Sequence, residues 1–289
     1  MTITASIDTL IVVCCHAIWV GESESDAFGL ENVEDGWLIE SFQHGETSTF
    51  IKHTQAGLDV LRTNENAILV FSGGATKPNR TKLTEAGTHR EFVVQNEPDD
   101  FHTNSDRIFT EDFATDSFQN ILFSLLGYPR FVHECYNHRF GLLPDAATVQ
   151  FEVPLSPRQL IVIGHEFKKA RFEELHLPAL RYPTDPSRFM YIGIDPPFEE
   201  QKMQEIKDGD AKRGYGVWKD DLYGIGPVLA QKRVARGWTR ERMEDLAKTW
   251  RETLIDPQTN GRETREQFEK ILAFVAGTEE QFPDRVPWS

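Results

Sequence analysis

Cysteine is scarce in this chain: three in 289 residues, at Cys14, Cys15 and Cys135. That number excludes a disulfide-stapled secreted scaffold, and the spacing is not that of a zinc-binding set. Cys14 and Cys15 fall inside an apolar run, where small buried hydrophobes are expected, so a reducing, cytoplasmic compartment follows. Long hydrophobic runs are also lacking. Leu10 to Val20 resembles a signal-peptide core, but Asp8 rather than Lys or Arg precedes it and it holds His16. It falls far short of the roughly 20 apolar residues a membrane span needs, so neither a leader nor a membrane partner is expected.

Positive charge is the third shortage, with 31 Lys and Arg against 46 Asp and Glu and a net charge of -15. A broad face for a nucleic-acid backbone is disfavoured, because phosphates are held by fields of Lys and Arg. A small anion needs only a few local cations and is not excluded. Eight acids and no Lys or Arg lie between Glu22 and Glu46, which reads as a solvated loop rather than a metal site.

What is present is an alternating pattern. "TLIVVCCHAIWV" reads as a central strand covered on both faces, followed by a helix over Phe50 to Arg62. A second strand, Ala67 to Phe71, precedes a helix over Thr84 to Gln95. "RIFT" (Arg107 to Thr110) reads as an edge strand. Phe118, Ile121, Leu122, Leu125 and Leu126 mark a helix over Ser117 to Leu126, with Asp116 and Gln119 as a capping box. "QLIVIG" (Gln159 to Gly164), a helix from about Lys168 to Leu177, and "RFMYIGID" (Arg188 to Asp195) complete the series. Strands alternating with helices predict a Rossmann-like three-layer α/β fold with a mainly parallel sheet. Helical patterns dominate beyond Glu199. Residues 238–289 read as a helical C-terminal extension packed on a domain of residues 1–237, too short of core residues for a unit of its own.

In an open parallel sheet, ligands bind beyond the carboxyl ends of the strands. There the sequence places His16, Ser72-Gly73-Gly74, Glu111, His165 and Asp195. Gly73 and Gly74 allow a sharp turn whose N–H groups could form an anion nest, beside a helix N-terminus, with Lys77 or Arg80 closing over the anion. Ser72 is a candidate nucleophile, although no G-x-S-x-G elbow surrounds it, and Glu85 opens the following helix. In "GHEFKKARF", Lys168, Lys169 and Arg171 fall in the first turns of a helix, where cations call for a compensating anion. His165 before them is a candidate general acid or base. Asn120 lies beside the apolar stripe of its helix. No HExxH or paired i,i+4 histidines point to a metal, and none is assigned.

Five stretches, "LIVVCCHAIWVG", "FSGGATKPNRTKLTEA", "EDFATDSFQN", "IVIGHEFKKARFEELHLPALRYP" with "YIGIDPP", and "DDLYGIGPVLAQKRVARG", resemble in order the YdcF-like (SanA-like) family of domains of unknown function, in its soluble fungal branch. The resemblance spans about Leu10 to Gly237. It implies a Rossmann-like fold with a cleft of His16, Ser72, Gly73, Gly74, Glu85, Glu111, Asn120, His165, Lys168 and Arg171. Through one bacterial relative it also implies S-adenosylmethionine as a cofactor. "GHEF" stands where bacterial members carry T-S-x-x-H, which shifts the histidine.

Three functions compete at this level. The first is an enzyme that hydrolyses, or transfers a group from, a small anionic or nucleotide-like substrate, with catalytic His165, Glu85 and Ser72. The second is a non-catalytic nucleotide or S-adenosylmethionine module. The third is tRNA-dependent aminoacyl transfer, whose basic face would be Lys232, Arg233, Arg236, Arg240 and Arg242; a solvated helix end is the plainer reading of that cluster.

Overall fold

The computed structural model describes residues 7–21, 32–140, 153–254, 262–277 and 279–288. β1 (Thr9–Cys14) leads into a small antiparallel sheet of β2 (Ile18–Trp19), β3 (Val33–Glu34) and β4 (Trp37–Leu38), and then into α1 (Thr47–Thr63). Next come β5 (Ala67–Ser72), α2 (Glu85–Asn96), α3 (Pro98–Asn104), β6 (Ile108–Glu111) and α4 (Ser117–Phe140). After β7 (Gln159–Gly164), a helical segment with π-type turns at Arg171–His176 runs into α5 (Leu177–Ala179) and returns through β8 (Phe189–Gly193).

The main sheet has the order β6-β5-β1-β7-β8 and is parallel throughout. The chain builds outward on one side of β1, then crosses to the other, so the topological switch lies between β1 and β7. Alternation along each strand loads both faces. Leu10, Val12, Val70 and Val162 face α4 and join the larger core. Ile11, Val13, Leu69, Phe71 and Ile163 pack with Leu58 and Leu61 of α1 and Val93 of α2. The result is the Rossmann-like three-layer α/β fold.

Three elements depart from their expected form. The run through Val20 is not one strand: β1 stops at Cys14, and Ile18–Trp19 pairs antiparallel with β4. The break falls where the polar His16 interrupts the run and turns back to its own chain, its Nδ1–H donating to the Cys15 carbonyl at 2.7 Å. Of the acidic stretch, residues 22–31 lie outside the described residues. Residues 32–46 are not a solvated loop, because Trp37, Leu38 and Ile39 among the acids are fully buried. α4 continues past Leu126 and Pro129 to Phe140, since Tyr128, Phe131, Val132, Cys135 and Tyr136 extend its apolar face.

The C-terminal stretch holds α6 (Glu200–Asp210), α7 (Gly216–Asp220), α8 (Pro227–Ala235), α9 (Arg240–Leu254) and α10 (Arg262–Val275). It is richer in core residues than its sequence suggests. Trp238 and Trp250 each pack their rings 5.4 Å from Phe123 of α4. Leu246, Phe268, Ile271, Leu272 and Trp288 join the same core cluster. Among the described residues, no helix is long and apolar enough to cross a membrane.

Candidate functional site

A cavity of about 790 Å³ opens at the carboxyl ends of β1 and β7, at the switch point, and α6 and α8 close its far side. Eight lining residues are Lys or Arg (Lys77, Lys168, Arg171, Lys202, Arg213, Lys232, Arg233 and Arg236), against six Asp or Glu. The chain as a whole has the opposite balance.

At the cavity floor, Lys168 follows β7 and places its Nζ 3.5 Å from His16 Nε2. Burial, and then the Arg171 guanidinium, bring its pKa down to about 8 against the pull of Asp210 and Glu46. Burial and the neighbouring Arg236, Arg171 and Arg213 lower Lys232 as well. Among the described residues, none of Lys168, Lys232 and Arg236 has a carboxylate within ion-pair distance. Other cations are neutralised within the chain: Arg171 pairs with Asp210, Arg233 with Asp116 at 2.6 Å, and Lys77 with Glu40 at 3.2 Å. Glu85 reaches the wall from the first turn of α2 and accepts from Thr76 Oγ1. Burial raises its pKa against the lowering effect of Lys77.

Three histidines meet under the switch point. The rings of His16 and His165 stack at 4.5 Å, and His53 of α1 stands edge-on to His165 at 5.0 Å. His165 is 1% exposed, and among the described residues neither of its ring nitrogens has a hydrogen-bond partner; Glu46 Oε2 lies 3.5 Å from its Nε2. Burial drives the pKa of both stacked rings well below the usual imidazole value, with Lys168 and the other histidines adding to it.

The expected residues therefore divide. His16, His165, Lys168, Arg171, Lys77, Glu85 and Asn120 line the cavity. Ser72, Gly73, Gly74, Arg80 and Glu111 are not among its lining residues. Ser72 is fully buried; its hydroxyl donates to Glu111 Oε2 at 2.6 Å and accepts from Asn120 Nδ2 at 2.8 Å, a closed network that leaves no free nucleophile. Asn120 Nδ2 also donates to the Ser72 carbonyl at 2.9 Å, so the amide nitrogen is occupied. The glycine pair forms no anion nest, because Gly73 N–H donates to the Glu111 carbonyl and Gly74 N–H to that of Ala114. Their own carbonyls accept from the first N–H groups of α2, so that helix N-terminus is satisfied too. Glycine is required there for close packing: a Cβ on Gly73 would lie 2.8 Å from Glu85 Oε2, and one on Gly74 3.0 Å from backbone atoms of Phe113 and Ala114. Arg80 instead ties down β4 through the Ile39 carbonyl and Glu40, both at 3.0 Å.

Sequence reasoning passed over His53, Glu46 and the cavity role of Lys232, Arg233 and Arg236. His53 carried a signal: it lies on the buried stripe of α1 with Phe50, Gly57 and Leu61, where a polar ring needs a reason. The supposed nucleic-acid cluster is split. Its first three cations line the cavity, Arg242 donates to the Asp112 carbonyl at 2.6 Å, and Arg240 is exposed beside Glu244.

Fold and site together define a parallel α/β protein of Rossmann-like strand order whose switch-point cavity is cation-rich. The chain is similar to an uncharacterized protein of Saccharomyces cerevisiae, YOR238W, at 24% identity over 273 residues, covering 78% of this chain and 82% of that one. No family model matches the chain, and no solved structure does.

Proposed function

We propose that the chain binds a small anionic, nucleotide-like molecule in the switch-point cavity and acts on it by hydrolysis or group transfer. The observation that carries this reading is Lys168, a cavity-floor ammonium with other cations around it and, among the described residues, no carboxylate partner. Like charges held this close are unfavourable until an anion joins them. The cavity has the size of a small-molecule site, typically about 300–1,000 Å³, and its position beyond the strand ends is where such sheets take ligands. The cations would hold the ligand and stabilise charge developing on it. Glu85, its pKa raised by burial, would take the proton of an attacking water or acceptor hydroxyl. The YdcF-like resemblance supports a ligand at this cleft. S-adenosylmethionine carries a sulfonium cation, which this lining suits less well than a phosphate or carboxylate.

The test is binding of nucleotides, sugar phosphates, aminoacyl analogues and S-adenosylmethionine to purified protein, followed by thermal shift. Lys168→Met is expected to weaken the anionic hit by about 10- to 100-fold, the worth of a charge-assisted bond. Glu85→Gln should keep the hit and lose turnover; a variant that keeps both would remove Glu85 from the chemistry, and a wild type that binds the hit without turning it over would reduce the site to a binding module. No hit with any compound would sink the anion reading.

A further inference from the structure

We infer that His16, His53 and His165, with the Glu46 carboxylate beside them, form a binding site for a divalent transition-metal ion of the zinc class. One ligand atom from each histidine lies within 4.8 Å of those of the other two. They come from three separate elements: the end of β1, the first turns of α1 and the end of β7. Zinc bonds imidazole nitrogen at about 2.0–2.1 Å, which puts tetrahedral ligands about 3.3 Å apart. The cluster therefore has to close by roughly 1.5 Å at most, and the stacked His16 and His165 rings, 13° from parallel, have to tilt so that their in-plane lone pairs converge.

Two further features favour a metal over a packed core. Metal-bound histidines typically donate their other ring N–H to a carbonyl or carboxylate, which fixes the tautomer. His16 Nδ1–H donates to the Cys15 carbonyl at 2.7 Å, and His53 Nε2–H to the Ile194 carbonyl at 2.9 Å. Each ring thus keeps a lone pair on its remaining nitrogen. His165 adds a buried ring with no partner at either nitrogen, an arrangement that costs stability unless something binds it. Glu46 Oε2, 3.5 Å from His165 Nε2, supplies an oxygen donor and negative charge. Lys168 opposes a cation at His16, and its four-carbon stem lets the ammonium swing into the cavity. Three imidazoles and a carboxylate select zinc, cobalt or nickel over calcium or magnesium, which take oxygen ligands.

The experiment titrates the chelator-stripped, full-length chain with Zn²⁺ and with Co²⁺. One ion per chain is expected, with the visible absorption of four- or five-coordinate Co²⁺. His53→Gln and His16→Gln, checked for folding by circular dichroism, should each weaken binding by at least 10- to 100-fold. They sit on different elements, so one folded variant is enough. A wild-type chain that binds neither ion, or binding that a folded variant retains undiminished, overturns the site. His16, His165 and Glu46 also line the cavity, so the two sites adjoin, but the metal titration and the anion screen read them separately. A chain that takes Zn²⁺ but no anion loses only the earlier proposal.

Discussion

The end of β5 and the ends of β1 and β7 lie side by side on the same rim, yet they are built in opposite ways. Beyond β5, the turn N–H groups, the first turn of α2, the Ser72 hydroxyl and the Glu111 carboxylate all find partners within the chain. Beyond β1 and β7, among the described residues, Lys168 has no carboxylate partner and the His165 ring nitrogens have no hydrogen bond. A glycine pair before a helix binds an anion only where its N–H groups are unused; here they are closed by backbone carbonyls. The place to look for a ligand is where polar groups remain unsatisfied, because a fold tolerates few of them without a reason.

Acid should separate the two ends most sharply. Burial lowers His53 from 6.5 to about 4. The stability it contributes is therefore present above pH 6.5 and lost as pH falls through 4, about 3 kcal/mol in all. Burial raises Glu111 from 4.5 to about 7. Its contribution is fully present below pH 4.5 and lost as pH rises through 7, again about 3 kcal/mol. Denaturant unfolding of the metal-free chain across pH 3–8 reads both. The advantage of wild type over His53→Gln should shrink on acidification from pH 6.5, and the advantage over Glu111→Gln should grow from pH 7 down to 4.5. The two effects are of similar size and run in opposite directions with pH. Two parallel profiles would show that the ends do not differ in the way described.

Gly74→Val should break the β5 turn next. The added Cβ meets backbone of Phe113 and Ala114 and the Arg242 guanidinium at 3.0 Å, and backbone yields less readily than a side-chain tip. Overpacking of this kind costs about 1–3 kcal/mol. The loss should appear as a lower unfolding midpoint, with ligand affinity unchanged in the folded protein. Tight binding by wild type that vanishes in a stably folded Gly74→Val would return the turn to the site.

Much of this was legible in the residues. The five parallel strands, their order of appearance and the helices between them follow from apolar runs of the right length, and β7 matches "QLIVIG" residue for residue. The rim residues His16, His165, Lys168 and Arg171 were legible because strand ends are where side chains leave the sheet. What the sequence could not display is which N–H groups are already in use, since that depends on register across β5, β6 and α2. Nor could it show that Glu46 and His53, well beyond β1 in the chain, fold back beneath it. The basic run from Lys232 to Arg242 was visible as a cluster, but its division between cavity and solvent depends on the turn between α8, which carries Lys232 and Arg233, and α9, which carries Arg240 and Arg242.

That run gives the smallest expected effect and the finest version of the comparison. Arg240 is largely exposed and, among the described residues, bonds along its own helix to Glu244, at 3.0 Å; exposed i,i+4 pairs contribute about 0.3–0.5 kcal/mol. Arg236, four residues earlier, lines the cavity and donates to the Thr115 carbonyl at 2.7 Å. Arg240→Ala should leave unfolding free energy within about 0.5 kcal/mol of wild type and the affinity for any anionic ligand unchanged. Arg236→Ala should weaken that ligand. If a long polyanion such as tRNA were bound across the surface, Arg240→Ala would weaken binding and lower its salt dependence by about one phosphate contact. Equal loss from both substitutions would therefore move the ligand out of the cavity and onto the face of the helices.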